Sequence, residues 1–213
     1  MRDDQTGTYW QQITGKAISG PLKGKQLELV PADELTFALW KSEQPNGTVL
    51  KDVARYTGDY AKKDWDKRMA HAPTVISFPH PGVKDRTLML GVEIDGVARA
   101  YPFSAVRDEK LIEDRIGSAP IVLVVGPDNQ SVRVFKSHVP GQTGTPQFYR
   151  VSEVNKNPAL PLVIDDATGS SWNFEGCVVS GRLKGACLER VPVIKDYWFD
   201  WRNYHAGTSV YRR

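Results

Sequence analysis

Apolar and polar residues alternate most regularly in the middle of the chain. TLMLGVEIDGVARAYP (87–102) reads as two strands joined at Asp95-Gly96, a dipeptide that supplies the backbone geometry of a tight hairpin. LIEDRIG (111–117), APIVLVVG (119–126) and SVRVF (131–135) extend the pattern, the last entered through a Pro-Asp-Asn turn at 127–129. FYRVSEV (148–154) and LPLVID (160–165) continue it. Helical signals are fewer. DYAKKDWDKRMAHAP (59–73) reads as a helix ended by Pro73. Phe37 and Trp40 lie three residues apart, as do Trp198 and Trp201, so each pair shares one helix face. The pattern predicts about ten strands and three helices. The expected fold is mainly β (β-dominated α+β), a pseudo-repeated antiparallel β unit with a few short helices.

The strongest signal is self-similarity. Residues 3–31 read DDQTGTYWQQITGKAISGPLKGKQLELVP and residues 165–192 read DDATGSSWNFEGCVVSGRLKGACLERVP. With one extra residue in the first stretch, Asp3, Asp4, Thr6, Gly7 and Trp10 match Asp165, Asp166, Thr168, Gly169 and Trp172. Gly15, Ser19, Gly20, Leu22, Lys23, Gly24, Leu27, Glu28, Val30 and Pro31 then match Gly176, Ser180, Gly181, Leu183, Lys184, Gly185, Leu188, Glu189, Val191 and Pro192. The likeness continues more weakly from 35–50 to 197–211, with Trp40 against Trp201 and Val49 against Val210. Asp-x-Thr-Gly is turn chemistry, in which Asp caps and Gly takes a positive φ. Ser-Gly-x-Leu-x-Gly is a second tight turn, and LELVP and LERVP read as short strands ended by proline.

The two copies differ in what precedes them. Hairpins lead into the second, whereas the first begins at residue 3. The simplest reading is one and a half repeats, with Met1 an internal methionine of a longer protein. The expected organisation is a partial first repeat at 1–58, a helical linker at 59–84 and a second repeat at 85–213 packed as one globular unit. A first copy without hairpins exposes a sheet edge or apolar face. Self-association, or a protein partner that completes the first repeat, follows as an expectation.

The chain's 213 residues are long enough to bury a substantial core. The net charge of +3 is spread along the chain, which argues against a nucleic-acid partner. The run around Lys62, Lys63, Lys67 and Arg68 is broken by Asp64 and Asp66 and reads as a solvated face. No apolar run reaches the ~20 residues of a membrane span. MRDDQTGTYW has no apolar core and is not a signal peptide. The chain as given reads as cytoplasmic, and as extracytoplasmic if a longer precursor carries a signal.

Candidate chemistry is sparse, and no catalytic residue or cofactor is assigned. Cys177 and Cys187, ten apart, fit no CxxC motif. They read as two buried free thiols, with a disulfide across a hairpin as the alternative. His71, His80, His138 and His205 form no HxxxH or HExxH pair and read as loop residues. His80 and His138, with Cys177 and Cys187, are the weak metal-ligand candidates. The pairs Asp3-Asp4 and Asp165-Asp166 read as turn caps, and the six tryptophans as core. At least two tryptophans exposed on one face would instead suit carbohydrate or peptide binding.

DDQTGTYWQQITGKAISGPLKGKQLELVP, LGVEIDGVARAYP and DDATGSSWNFEG resemble a bacterial family known as domain of unknown function 3179, over about residues 3–211. The resemblance brings no established activity with it. It implies longer members whose first half ends in a Cys-Pro-x-Cys-Gly turn suited to a soft metal or a redox couple. Here Gly126, Pro127 and Asn129 stand in the equivalent place, and only the proline matches. The reading is a β-rich domain with a binding or scaffold role. The alternative is a thiol- or metal-dependent protein whose dithiol turn lies in a missing N-terminal half.

Overall fold

Three four-stranded sheets are held in a stack by the apolar residues that alternate along their strands. The structure is a computed structural model of the chain and describes every residue except Leu29, Pro31 and Pro140. The first strands are β1 (Tyr9–Trp10) and β2 (Ala17–Ser19), followed by helices α1 (Phe37–Glu43) and α2 (Trp65–Met69). The hairpin β3 (Leu88–Ile94) and β4 (Val97–Pro102) leads into α3 (Phe103–Glu109), then β5 (Leu111–Ile116), β6 (Ala119–Val125) and β7 (Val132–Lys136). Next come β8 (Phe148–Arg150), β9 (Val163–Asp165), β10 (Ser171–Trp172), β11 (Val178–Ser180), β12 (Arg190–Val191) and β13 (Ile194–Tyr197). Helix α4 (Trp198–Tyr204) and β14 (Ser209–Val210) end the chain. The protein is mainly β, as expected, with fourteen strands among the described residues.

The central sheet has the order β12-β7-β6-β5 and is buried on both faces. Ile121, Leu123, Val125 and Val134 face Leu90, Val92 and Tyr101 of the sheet β13-β3-β4-β14. Val122, Val124 and Phe135 face Phe148, Val163, Trp172 and Val178 of the sheet β11-β10-β9-β8. Period-two alternation assigns successive residues to opposite sheets. On the outer face of β3-β4, Met89 and Ala100 pack against Trp198 and Trp201 of α4. Gly91 is required there, because a Cβ at that position would fall inside the indole of Trp201.

The two similar stretches share the hydrogen bonds of their Asp-x-Thr-Gly turns. In the first, Thr6 N donates to Asp3 Oδ1 at 2.6 Å, and Trp10 Nε1 donates to Asp3 Oδ2 at 2.8 Å. In the second, Thr168 N donates to Asp165 Oδ1 at 2.6 Å, and Trp172 Nε1 donates to Asp165 Oδ2 at 2.8 Å. The Asp-x-Thr-Gly turn therefore caps its own tryptophan. Gly20 and Gly181 take φ values of 103° and 106°, and a Cβ on either would lie 2.7 Å from a backbone Cα of Thr8 or Ser170.

Several expectations need correction. Residues 59–73 do not form one helix; α2 covers only five residues and buries none. That stretch has no apolar stripe, and a short helix without a packed face is marginal. Helix α3 departs from the expectation; Val106 is buried in the core and Phe103 packs against the same cluster. The strand expected at 148–154 ends at Arg150. In the first copy, the expected strand LELVP includes Leu29 and Pro31, which lie outside the described residues, while Leu27, Glu28 and Val30 belong to no strand. Its counterpart is β12. Cys177 and Cys187 are not free thiols but a disulfide. They face each other across an antiparallel bridge, at the place where the first copy bridges Lys16 and Gln26.

The two Asp turns give a paired stability test. Asp165→Ala leaves the buried Trp172 indole N–H and the Thr168 hydroxyl without their acceptor and should cost about 3 kcal/mol. Asp3→Ala removes the same bonds at a less deeply buried site and should cost less. Urea unfolding of the two variants side by side measures the difference.

Candidate functional site

The first copy is fastened to the core by charge. Arg133, on β7, occupies an interior position two residues from Phe135, with its guanidinium 4.4 Å from the Phe174 ring centroid. It donates to Asp33 Oδ2 at 2.7 Å and to both carboxylate oxygens of Glu43, each at 2.7 Å. Arg190 of β12 adds a second ion pair to Asp33. Burial acts to raise the Asp33 carboxyl, but the hydrogen bonds and charges of Arg133 and Arg190 hold it below the usual range. Burial likewise opposes the charge on Arg133, and Glu43 and Asp33 outweigh it and push its value up.

A second tether lies beside it. Thr36, the N-cap of α1, donates its hydroxyl to Asp128 Oδ2 at 2.7 Å, and its amide to Ser131 Oγ at 3.1 Å. The turn where the family resemblance places a dithiol thus carries Asp128, which binds the first copy. Burial works against the Asp128 anion, yet the Ser131 hydroxyl and amide, Thr36 and the Gln130 amide lower its pKa.

These tethers hold one side of the first copy's helical segment and leave its other side open. Equivalent residues show the contrast. Val30 is 74% exposed, Phe37 66%, Val49 67% and Leu50 99%, whereas Val191 and Trp198 are 6% and 1% exposed and Val210 and Tyr211 are half-buried. In the second copy β12 pairs with β7, β13 with β3 and β14 with β4. The first copy's counterparts of β13 and β14, residues 33–36 and 48–49, form no strand. Helix α1 nonetheless matches α4 in length, and their C-caps share one geometry: Gln44 at φ −122°, ψ 68° and His205 at φ −121°, ψ 67°.

A cleft of about 730 Å³ runs between the copies, bounded by Trp10, Gln11 and Ile18 on one side and Asp196, Asp200 and Tyr204 on the other. Burial pushes the Asp196 carboxyl up to about 6, and the neighbouring Asp200 carboxylate adds to the rise against the opposing charge of Arg86. Asp196 and Asp200 form a carboxylate pair at this cleft. Sequence reading missed it, although Asp-x-x-x-Asp across a strand-to-helix boundary is a signal that could have drawn attention to it.

The metal-ligand candidates are not brought together. His80 packs edge-on against Trp198, with ring centroids 5.3 Å apart, and His138 is exposed after β7. The sulfurs of Cys177 and Cys187 are bonded to each other. Among the described residues no group of three or more His, Cys, Asp or Glu is placed to hold a metal ion. His71 Nδ1 donates to Lys67 O, 2.8 Å away at the end of α2. His205 stacks on Trp201, and its Nε2 lies 3.0 Å from Glu93 Oε2. Of the six tryptophans, Trp10, Trp172, Trp198 and Trp201 are buried, Trp40 is half-buried and Trp65 is exposed. No helix among the described residues is long and apolar enough to cross a membrane.

Residues 1–208 match the family DUF3179, described as proteins of unknown function. The chain belongs to DUF3179. No curated protein and no solved structure matches it. For this DUF3179 chain the family therefore brings no reaction or ligand, and the open face of the first copy is the feature with the clearest physical content.

Two measurements check the electrostatics. Arg133→Met strands the buried Glu43 carboxylate and leaves Asp33 with Arg190 alone, and should destabilise the chain by about 3 kcal/mol in urea unfolding. For Asp196 the folded value of about 6 lies above the ordinary 3.8. Its protonated form favours the fold, so this contribution is present at low pH and is lost as pH rises through about 6. Asp196→Asn should therefore unfold at higher urea than the parent chain at about pH 7.5, with the gap closing by about pH 4.

Proposed function

We propose that this chain is a binding and scaffold domain that works through protein contact at the first copy's open apolar face. One observation carries the reading: residues 30, 37, 49 and 50 are solvent-open, while their equivalents in the second copy are buried or half-buried. Large exposed apolar patches on a folded domain mark interaction surfaces. The face is backed by a fixed framework, because Arg133, Asp128 and Ser131 hold α1 from behind. A prebuilt surface binds without first paying the cost of ordering itself.

Tryptophan-based carbohydrate binding has less support, since only Trp65 is exposed and Trp40 is half-buried.

The test is site-specific photocrosslinking in the cells that make the protein. A photoreactive residue at Leu50 or Phe37 should give one discrete crosslinked protein species. The same residue at Lys156, outside the face, should not. Diffuse or absent crosslinking from Leu50 and Phe37 would remove the interaction reading.

A further inference from the structure

We propose that the Cys177–Cys187 disulfide is a thiol-exchange site, where a reducing dithiol delivers two electrons while the fold stays intact. The proposal is independent of the open apolar face. The chain holds its own control, because the ribbons β1-β2 and β10-β11 carry the same main-chain bonds. Gln11 N donates to Lys16 O at 2.8 Å, and Asn173 N to Cys177 O at 2.9 Å. Ala17 N donates to Lys25 O at 2.9 Å, and Val178 N to Ala186 O at 2.8 Å. Gly24 N donates to Ala17 O at 2.9 Å, and Gly185 N to Val178 O at 3.2 Å. Leu27 N donates to Gly15 O at 3.0 Å, and Leu188 N to Gly176 O at 2.9 Å. In the first ribbon Lys16 and Gln26 stand opposite each other without a covalent link, and in the second Cys177 and Cys187 hold the equivalent places. The ribbon therefore forms without the disulfide.

Stability does not account for the bond either. A cross-link contributes least when it closes a short loop, and this one joins residues ten apart. It also lies where other support is greatest. β10-β11 belongs to a four-stranded sheet and buries Trp172, Val178 and Leu188 in the core. β1-β2 is a two-stranded sheet whose Leu27 is 42% exposed. A staple would serve the weaker ribbon. What the disulfide adds is chemistry at the surface, since Cys187 is exposed and Cys177 half-buried. Exposed disulfides are the labile, exchangeable ones.

The exchange runs through the more open cysteine. A thiolate of the dithiol attacks Cys187 Sγ and bonds to it. The Cys177–Cys187 bond breaks, and its electron pair leaves on Cys177 Sγ, which takes up a proton. The donor's second thiol loses its proton, attacks the donor's own sulfur in the mixed disulfide and releases Cys187 as a thiolate, which is protonated in turn. The dithiol gives up two electrons and two protons and becomes a disulfide. An oxidised dithiol reverses the sequence, because main-chain bonds keep the two cysteines opposite each other.

The experiment treats the folded 213-residue chain with dithiothreitol and counts thiols by alkylation and mass spectrometry. Reduction without denaturant should go to completion, at a rate that rises in proportion to dithiothreitol concentration. Near-UV circular dichroism should be retained, and oxidised dithiothreitol should restore the bond. The variant C177S/C187S should keep the same spectrum. A thioredoxin whose resolving cysteine is replaced by serine should be captured on Cys187. The variant C177S, with no disulfide to open, should lower that capture by about tenfold or more. A rate that stops rising with dithiothreitol would mean that the bond opens only on unfolding, and would overturn the proposal. Loss of the near-UV signal on reduction or in C177S/C187S would make the bond a structural staple and overturn it as well. Absence of the captured species, or capture through Cys177, would also overturn it.

Discussion

A guanidinium buried between two sheets decides how the first copy attaches. Arg133 stands on an interior face beside residues such as Phe135 and Phe174, where an unpaired charge would be strongly unfavourable. It can stay charged only if carboxylates come to it, and Asp33 and Glu43 both come from the first copy's helical segment. A buried pair of this kind adds less net stability than its contacts suggest, because both partners lose water. Its consequence here is positional. With Asp33 ahead of α1 and Glu43 at its end, both ends of the helix are fixed against the central sheet, and Leu39 goes into the core. The opposite side of the same segment is left to solvent.

The turn motif explains why two copies can share a structure while differing so much in surroundings. Asp3 and Asp165 each collect a backbone amide, a threonine hydroxyl and an indole N–H from within seven residues. Such a network closes locally and needs no neighbouring sheet. Hydrogen bonds from the Trp10 indole foremost, then the Thr6 amide and hydroxyl and the Thr8 amide, bring the Asp3 carboxyl down to about 2 against the cost of desolvation. The β1-β2 ribbon of the first copy therefore keeps the shape of β10-β11, even though β10-β11 belongs to a four-stranded sheet and β1-β2 does not. The second copy adds a covalent link, Cys177 to Cys187, where the first has Lys16 opposite Gln26.

Local signals were the legible ones. The Asp95-Gly96 hairpin, the strands 111–125 and the Asp-x-Thr-Gly turns each depend on a few adjacent residues, and all formed where expected. What could not be read were pairings across long distances in the chain. Nothing near Arg133 announces Asp33, one hundred residues earlier, and nothing in SVRVF marks its arginine as interior. The same holds for Asp196, whose raised value comes from burial in the tertiary structure. The disulfide was open to sequence as an alternative, but a spacing of ten does not say whether two strand residues stand opposite each other. Helix 59–73 failed for the converse reason. Its residues favour helix locally, yet they offer no apolar side for the fold to bury, and only one turn and a little more survives.

Exposed apolar side chains are ordinary on folded proteins, and exposure alone would say little about the first copy. The argument is different here because each exposed residue has a counterpart whose environment is known. Val191 and Trp198 are buried, and Val210 and Tyr211 half-buried, where the second copy's segment pairs with the sheets. The first copy has kept hydrophobic residues at these positions: valine for valine at 30 and 49, phenylalanine for tryptophan at 37, leucine for tyrosine at 50. Water offers such side chains no favourable contact, and polar replacements would serve a purely structural ribbon as well or better. The first copy thus presents residues of core composition to solvent on a segment that Arg133, Asp128 and Ser131 fix to the central sheet.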